Sequence, residues 1–573
     1  MNNFFDTIDL SLTPYSCAGS WLSVSRLGEA HGIHPEGLYL RTNREVFSYA
    51  PLFRVELLKE GAPVPFRERL VPGALRLETA EGDAAELPFE GTDTIRFRSK
   101  SLCCRLHAAG GVGLAHFLRP RLWRFAWRGE SRSDNCLFHL EALSGGGELS
   151  AQWDGMAAHD IVWSAVAPAE FALTESPLEP VERPHTSFEQ CRERQACEFA
   201  AFTASFPDAE PFARERFHAL YLNWSAQVKP SGLVKRRCML VSKNKMSGMW
   251  AWDHCFNALA MAKAQPELAF DQFMAMFDRQ DEQGAIPDLL TPTVEMRVHV
   301  KPPVHGWIFS LMRRVNPEFF RRGEITRQVC EVLRCWTRYW TEFRDYSGIG
   351  MPFYTHGKDS GWDNSTLFLG PVPLASPELA AYLVLQMELL AELTAELGRR
   401  NESAMWRESA RRQQERLLKF AWDGKTFHAV SPEGRRLQQR GDTLLVYLPL
   451  LLGKRLPAEI AAKLREGMFR PGRFRTAYGL ATESAASPYY DPAGYWRGPI
   501  WAPSTFIAIS GLLGCGDRES ADALAYDYCR LCSEHGFYEN FNAKTGEGND
   551  EKTLSWSVSI FLLLSEYLND NRR

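Results

Sequence analysis

The sequence predicts a mainly α fold, in which an antiparallel β-sandwich over residues 1–195 precedes a helical domain over residues 196–573. Two observations predict this division. Up to about residue 195, short runs alternate apolar and polar residues between Gly, Pro and Asp turns, which is typical of antiparallel strands. From about residue 209, apolar residues recur at helical spacing instead.

Five runs in the first domain show the strand pattern most clearly, at residues 37–43, 52–61, 75–83, 94–108 and 137–143. The segment Pro177–His185 is rich in Pro and Glu, and we expect it to be a linker. A helical pattern follows at Ser187–Thr203.

Twelve segments of the second domain have helical periodicity: residues 209–228, 251–264, 266–280, 303–314, 323–345, 376–399, 401–420, 441–452, 456–468, 494–513, 517–535 and 554–569. Short connections, such as 263–268 and 397–403, predict antiparallel helix pairs. Six pairs closed in a ring would form an (α/α)6 barrel. A linear helical solenoid has the same helix count, so the count alone leaves both architectures open.

Composition excludes several classes of partner. The chain of 573 residues has a formal net charge of −4 and no basic tract that could follow a phosphate backbone, so we expect no nucleic acid partner. We expect no membrane span, because no run of about 18 uncharged apolar residues occurs. The N-terminal residues lack the pattern of a signal peptide, and the 13 cysteines are irregularly spaced. These features predict a cytoplasmic protein with reduced thiols.

Seventeen tryptophans are far more than usual, and many lie in loops rather than at helical core spacing. In the first such loop, residues 247–257, Trp250 and Trp252 stand beside Asp253 at a helix start. Asp253 could simply cap the helix. The two indoles favour a second role, because aromatic walls and a carboxylate suit a sugar ring with vicinal hydroxyls. Asp288, in the loop before the next helix pair, is predicted about equally well as a helix-entry residue and as a cleft residue.

Three further loops have the same character. Residues 356–368 place Trp362 next to Asp363 in a stretch rich in Gly, Ser and Asn. Residues 489–501 contain Tyr495, Trp496 and Arg497 just before a Gly-Pro pair, and residues 535–548 contain Glu539. Arg497 could form a surface salt bridge, although its aromatic neighbours favour a position in a cleft.

Asp363 and Glu539 together suit glycoside hydrolysis, which needs one protonated and one ionised carboxyl flanking the scissile bond. Burial against an indole disfavours the charged form of a carboxylic acid and raises its pKa. Trp362, next to Asp363 in the sequence, could provide such an apolar surface for Asp363. Glu539 could activate water on the other side of the scissile bond. Each acid alone is more commonly a cap or a solvated loop charge; the Trp-rich loops favour catalysis for the pair.

Four motifs, WAWDH (250–254), SGWDNS (360–365), YWRGPIW (495–501) and YENFNAKTGE (538–547), resemble glycoside hydrolase family 63. The closer resemblance is to its bacterial mannosylglycerate and glucosylglycerate hydrolases, with a more distant likeness to trehalases. It covers about residues 210–570, and the N-terminal part resembles the accessory sandwich of such enzymes with much lower specificity.

The resemblance implies an (α/α)6 barrel and an inverting, exo-acting hydrolysis of α-glucosidic or α-mannosidic bonds in small glycosides or oligosaccharides. It implies that Asp363 is the general acid and Glu539 the general base, about 6.5–9.5 Å apart to admit a water. The residues that it implies for binding the sugar are Trp250, Trp252, Asp253, Tyr495, Trp496 and Arg497. Trp362, next to Asp363, is expected to bind the sugar with them. It implies no cofactor and no metal, and the oligomeric state is left open.

Other functions remain possible on such a barrel. A glycoside phosphorylase would use phosphate in place of the base, and a sugar epimerase would rely on histidines, of which His254, His305 and His356 lie near these loops. A carbohydrate-binding protein without activity is a third alternative. Cys529, Cys532 and His535 lack a fourth partner for a zinc site, so we expect no metal there.

Overall fold

The computed structural model describes residues 4–130, 135–176, 179–180, 184–208 and 210–570. Residues 177–178 and 181–183 of the predicted linker lie outside the described residues. The chain forms two compact units. The first contains residues up to Phe206 together with Phe217–Gly248 and Thr291–Val294, and the second contains Pro207–Arg216, Met249–Leu290 and the residues from Glu295 onward.

The first sixteen strands of the chain lie in the first unit and form two sheets, within the part of the chain that the structure describes. They are β1 (Leu22–Leu27), β2 (Gly37–Thr42), β3 (Pro51–Lys59), β4 (Ala62–Val64), β5 (Phe66–Val71), β6 (Ala74–Thr79), β7 (Ala84–Leu87), β8 (Phe89–Glu90), β9 (Thr94–Ser99), β10 (Cys103–Ala108), β11 (Val112–Arg119), β12 (Leu122–Arg128), β13 (Asn135–Ser144), β14 (Gly147–Trp153), β15 (Ala158–Ala165) and β16 (Ala169–Ser176). One sheet has the order β1-β2-β3-β10-β15-β14, with β4 beside β3, and the other has the order β11-β12-β13-β16-β9-β7-β6-β5, with β8 beside β9. The strands pair antiparallel.

Aromatic side chains fill the space between these sheets. Phe53 contacts Phe125 with ring centroids 5.0 Å apart, and Trp163 contacts Trp123 and Phe171 at 5.5 and 5.0 Å. All five are buried. Each contact joins one sheet to the other, so the alternating pattern of the sequence has placed its apolar face inward. The run at 94–108 supplies two strands, β9 and β10, one to each sheet.

The remaining elements are mainly helices. They are α1 (Phe188–Ala204), α2 (Ala213–Ser225), α3 (Asp253–Met261), α4 (Pro266–Met274), α5 (His305–Val315), α6 (Pro317–Phe320), α7 (Gly323–Arg338), α8 (Pro377–Glu396), α9 (Arg400–Arg416), α10 (Ala458–Phe469), α11 (Ala502–Gly514), α12 (Arg518–His535) and α13 (Ser555–Asp570), with a 3-10 helical segment at Leu444–Arg455. Short strands are β17 (Gln227–Val228), β18 (Cys238–Met239), β19 (Met249–Trp250), β20 (Leu289–Leu290), β21 (Glu295–Met296), β22 (Ile500–Trp501), β23 (Tyr538–Phe541) and β24 (Gly548–Lys552). Each predicted helix has a counterpart, but the one predicted over 494–513 begins only at Ala502.

Six helical segments of the second unit pack in a closed cycle. In order, α3 contacts α5, α5 contacts α8, α8 contacts Leu444–Arg455, that segment contacts α11, α11 contacts α13, and α13 contacts α3. The intervening helices α4, α7, α9, α10 and α12 pack against members of this cycle. Successive long helices therefore alternate between the cycle and its outside. A linear solenoid would leave α3 and α13 apart, so their contact rules it out.

A buried asparagine connects the two ends of the cycle. The Asn257 side chain on α3 donates to the Ser555 hydroxyl at 2.7 Å and accepts from the Ser559 hydroxyl at 2.8 Å, both on α13. Among the described helices, none is both long and apolar enough to cross a membrane.

Candidate active site

The loops that precede the helices of the cycle contact one another through tryptophans. Trp496, before α11, lies 4.7 Å from Trp362 and 6.1 Å from Trp252 between ring centroids, and it stacks on Trp501 at 3.8 Å. Trp252 and Trp501 each meet Trp556 of α13 edge-on. The predicted aromatic loops are thus brought together by the fold.

Burial divides the predicted site residues into two groups. Trp252, Trp362 and Trp496 are almost fully buried, so their rings mainly hold the loops against one another. Trp250, Asp363, Tyr495 and Arg497 are partly exposed, and Asp253 and Glu539 are buried. The side chain of Asp363 is 26% exposed, which leaves its carboxyl accessible to a substrate.

The turn before Asp363 depends on a glycine. Gly361 adopts a left-handed conformation with φ of 74°, and a Cβ atom there would lie 2.6 Å from the Trp252 ring. The Ser360 hydroxyl accepts from the Trp362 amide at 3.1 Å, and the Ser365 amide donates to the Trp362 carbonyl at 2.9 Å. These local bonds define the backbone on both sides of Asp363.

Asn364 joins this loop to the segment 494–497. Its Oδ1 accepts from the Trp496 amide at 2.8 Å, and its Nδ2 donates to the Gly494 carbonyl at 3.0 Å. The Nε of Arg497 donates to the Asn364 carbonyl at 2.7 Å. Three hydrogen bonds therefore fix Asp363 relative to Tyr495, Trp496 and Arg497.

Glu539 lies on β23, which pairs with β22 and β24. Its carboxylate accepts from the Tyr495 hydroxyl at 3.1 Å and from the Glu551 amide at 3.2 Å. Glu539 is only 6% exposed. Burial, reinforced by the negative charge of Asp550, raises the pKa of Glu539 to about 8 although both hydrogen bonds oppose the shift.

Tyr495 links the two predicted catalytic carboxyls. Burial raises the pKa of its hydroxyl, and the negative charges of Glu539 and Asp363 act in the same direction. The charges of both carboxylates therefore act on the Tyr495 hydroxyl, and this hydroxyl donates a hydrogen bond to Glu539. The loop of Asp363 and the strand of Glu539 both form hydrogen bonds to the segment 494–497.

A second group of charges lies beside Asp363. The Nζ of Lys301 is 3.8 Å from Asp363 Oδ1 and 3.5 Å from Asp288 Oδ1. Burial raises the pKa of Asp253 to about 7 against the opposing charge of Lys301, and burial also raises the pKa of Asp288. The sequence analysis did not identify Lys301 as a site residue. The only signal was its position just before Pro302-Pro303, in the same loop as Asp288.

Asp359, which precedes Asp363 in the same loop, has a structural role. Its carboxylate accepts from the Thr355 amide and hydroxyl, each at 2.7 Å, and from the Arg344 guanidinium. The Val300 amide donates to its other oxygen at 3.2 Å. Asp359 therefore ties the loop to its neighbours and is held ionised, since these partners lower its pKa despite burial.

One buried trio has residue types that bind metals. His254, Cys255 and His305 place their ligand atoms within 4.8 Å of one another. The described residues supply only these three, one fewer than a tetrahedral structural zinc site needs. Burial raises the pKa of the Cys255 thiol and lowers that of His254 to about 4, and His305 packs against aromatic rings. The trio fits a neutral core cluster better than an ion site.

Comparison with known proteins identifies the family of the chain. Residues 246–557, more than half of the chain, match the model of the mannosylglycerate hydrolase MGH1-like glycoside hydrolase domain. A mannosylglycerate hydrolase from Rubrobacter radiotolerans is 25% identical over 410 residues, which cover 55% of this chain and 89% of that protein.

Two solved structures extend the likeness to the fold. The GH63 mannosylglycerate hydrolase of Thermus thermophilus in complex with glucose has a TM-score of 0.53 at 20% identity, covering 62% of this chain and all of that one. A bacterial glucoamylase complexed with acarbose has a TM-score of 0.62 at 10% identity, covering 98% of this chain and 94% of that one. The family match and the curated relative lead to one conclusion: this chain is a glycoside hydrolase and belongs to the mannosylglycerate hydrolase MGH1-like family.

Proposed function

We propose that this hydrolase is an inverting, exo-acting enzyme that cleaves α-glucosidic or α-mannosidic bonds of small glycosides or oligosaccharides. Asp363 is its general acid and Glu539 its general base. The observation that carries this assignment is the shared attachment of both residues to the segment 494–497. Asn364 binds the Trp496 amide, and Glu539 accepts from the Tyr495 hydroxyl.

In the proposed reaction, Asp363 donates its proton to the glycosidic oxygen as the bond from that oxygen to the anomeric carbon breaks. Glu539 takes a proton from a water that attacks the same carbon from the opposite face. The released sugar has the inverted anomeric configuration, and no covalent intermediate forms. The reaction uses no metal and no cofactor.

The sugar is held, in this proposal, by Trp250, Asp253, Tyr495 and Arg497. Trp250, Tyr495 and Arg497 are partly exposed, and Asp253 lies at the start of α3. Tyr495 donates to Glu539, and Arg497 donates to the carbonyl next to Asp363. Trp252, Trp362 and Trp496, which are buried, support this pocket through their ring contacts. Fixing the ring hydroxyls in this way converts binding energy into orientation of the anomeric carbon.

We also propose the finer architecture. The closed cycle of six helical segments with outer helices supports an (α/α)6 barrel, and the two sheets with aromatic contacts support a β-sandwich. We assign the catalytic domain to residues 196–573 and an accessory domain to residues 1–195. Buried free thiols such as Cys529 and Cys532 suit the reducing conditions of the predicted cytoplasmic location.

The substrate we propose is a small glycoside with a nonreducing glucose or mannose. The relatives named above are mannosylglycerate hydrolases, which makes α-mannosyl and α-glucosyl glycerates the first compounds to test. A panel that also contains simple α-glucosides and α-mannosides separates recognition of the sugar from recognition of the second group. The preferred compound is the one with the highest kcat/KM.

The test of mechanism follows the product by NMR, with and without phosphate. Release of a β-sugar from an α-glycoside without phosphate supports inverting hydrolysis. A sugar 1-phosphate indicates a phosphorylase, and an isomerised sugar indicates an epimerase.

Asp363→Asn and Glu539→Gln should each lower kcat on an alkyl glycoside by at least about 10²-fold while sugar binding persists. Full activity in either variant refutes its assigned role, and an inactive wild type that binds sugar indicates a binding protein.

A further inference from the structure

The helical unit contains a cavity at the end of the helix cycle opposite to the candidate active site. Its volume is about 610 Å³, and its walls come from α5, α8, the segment Leu444–Arg455 and α11. The charged wall residues of α5 and of that segment lie at the C-terminal ends, whereas the loops of the active site precede α3, α8 and α11. The 13-residue helix α11 is about 20 Å long, so the cavity is separate from the active site.

Positive charge predominates around this cavity. Within the described part of the chain, two acidic side chains line it, Glu388 and Glu392 of α8, and a third, Glu396, pairs with its arginines. The basic side chains that line it are Arg313, Arg314, Arg321, Lys454 and Arg455. Five positive charges thus face three negative charges, which leaves a surplus of two.

Arg314 and Lys454 carry this surplus. The Nε of Arg455 lies 2.6 Å from Glu388 Oε2, but among the described residues no carboxylate lies within 4 Å of Arg314 or of Lys454. Desolvation by the surrounding protein lowers the pKa of Arg314, and the positive charge of Arg455 acts in the same direction. The two guanidinium groups therefore repel each other, and an anion beside them would offset this repulsion.

Arg313 is buried at the cavity and has unused hydrogen-bond donors. It is 2% exposed, and its Nη2 donates to Glu396 Oε1 at 2.6 Å. Its Nε and Nη1 have no hydrogen-bond partner among the residues that the structure describes, and Glu392 Oε2 lies 3.7 Å from Nη1. These two nitrogens of a guanidinium carry three N–H groups. Unpaired buried donors are unfavourable, so a ligand that accepts from them would bind favourably.

Helix ends account for part of the basic character. The C-terminal carbonyls of a helix attract cations. Accordingly, the Nε of Arg314 donates to the Ser310 carbonyl at 3.3 Å, and the Nη1 of Arg455 donates to the Leu452 carbonyl at 3.4 Å. This attraction explains neither a cavity of this volume nor the unpaired N–H groups of the buried Arg313.

We propose that this cavity binds a phosphate group, either as inorganic phosphate or as part of a small phosphomonoester. A phosphate dianion matches the surplus of two charges, and a guanidinium presents paired N–H donors that fit its oxygens. The volume lies within the range of about 300–1,000 Å³ that is typical of small-molecule sites. An apolar wall for an organic group is formed by Leu385, Leu389, Leu451 and Leu513. This site does not depend on the proposed hydrolysis.

Isothermal titration calorimetry of the full chain, in a buffer free of phosphate and sulfate, tests the proposal. The probes are inorganic phosphate, glycerol 3-phosphate and uncharged glycerol. We expect one site per chain for at least one of the two phosphates, no binding of glycerol, and weaker binding as NaCl is raised. Tighter binding of glycerol 3-phosphate assigns the site to a phosphomonoester, and equal or tighter binding of inorganic phosphate assigns it to the free ion.

Three variants remove charges from the cavity. Arg313→Gln, Arg314→Gln and Lys454→Gln should each weaken binding by at least about tenfold, because each removes a charge-assisted hydrogen bond to the anion. Arg314→Gln and Lys454→Gln break no ion pair among the described residues, so they provide the test should Arg313→Gln fail to fold. Arg400→Gln, at an exposed position of α9, is the matched control and should keep the dissociation constant within about twofold.

Arg497→Gln separates the cavity from the active site, and it should bind the phosphates with wild-type affinity. Binding that is lost in Arg497→Gln but kept in the three cavity variants would place the anion in the active site and overturn the proposal. No binding of either phosphate by the wild type would also overturn it. So would equal affinities in the wild type and in the folded cavity variants.

Discussion

At the scale of single residues, the protonation state of Glu539, the proposed general base, should control when water can be activated. Burial and the charge of Asp550 raise its pKa to about 8, so at neutral pH the free enzyme carries most of Glu539 protonated. A general base must be ionised. The fraction able to accept a proton therefore grows about tenfold per pH unit until pH approaches the pKa.

This environment predicts the pH dependence of fluoride hydrolysis. Because fluoride leaves without a proton, kcat/KM for the α-glycosyl fluoride should rise with pH and level off above about 8. Glu539→Gln should lose this activity by at least about 10²-fold, whereas Asp363→Asn should stay within about tenfold of wild type. Loss of fluoride hydrolysis in Asp363→Asn, with retention in Glu539→Gln, would exchange the two roles.

The sequence identifies the candidate catalytic carboxyls, but it does not predict which side chains contact them. Asp363 and Glu539 stand in motifs that can be recognised along the chain, and the structure brings their loops together. The position of Lys301 beside Asp363 could not be predicted, because Lys358 and Asp363 come from a loop far from Lys301 along the chain. Burial of Trp362 also depends on Trp496, far along the chain.

At the scale of elements, the segment 494–501 shows where periodicity misleads. Its apolar spacing predicted a helix from residue 494, yet the helix α11 begins at Ala502. Gly498 and Pro499 interrupt helical geometry, and Tyr495 adopts a φ of 62°. Instead, its Gly494 carbonyl accepts from the Asn364 side chain and its Trp496 amide donates to that side chain. The segment ends in the short strand β22. Tertiary contacts thus override the helical pattern at the site.

Because Asn364 joins two loops, Asn364→Ala should damage both stability and catalysis. Loss of the bonds to the Trp496 amide and the Gly494 carbonyl should cost about 1–3 kcal/mol of unfolding free energy. Displacement of Asp363 by about 1 Å should lower kcat/KM by about 10²-fold. Denaturant unfolding and steady-state kinetics measure the two effects.

Asn401 provides the matched control for that variant. It is exposed on α9, so Asn401→Ala should change the unfolding free energy by less than about 0.5 kcal/mol and leave kcat/KM unaltered. Wild-type kinetics in Asn364→Ala would show that the junction between the loops does not position the acid.

At the scale of the whole helical unit, the order of helices was predictable but their closure was not. Helical periodicity along the chain gave the number and sequence of the segments. Whether α3 and α13, the first and last members of the cycle, meet depends on contacts between residues far apart along the chain. α13 packs on α3, and the pair places Asn257 between two serines. Polar residues in apolar helices carry no sequence signal that identifies such a partner.

Asn257→Ala should weaken the closure of the cycle. The variant removes the hydrogen bonds to Ser555 and Ser559 and leaves a cavity between α3 and α13. These losses should lower the unfolding free energy by about 2–4 kcal/mol.

Ser565→Ala on α13 is the control. The Ser565 hydroxyl is buried and donates to the Leu562 carbonyl of the same helix, so the variant should lose less than about 1 kcal/mol of unfolding free energy. Helical circular dichroism during urea unfolding compares the two. Equal losses would mean that the Asn257 contact contributes no more to closure than an ordinary buried hydroxyl, whereas a larger loss in Asn257→Ala identifies it as the polar contact that closes the cycle.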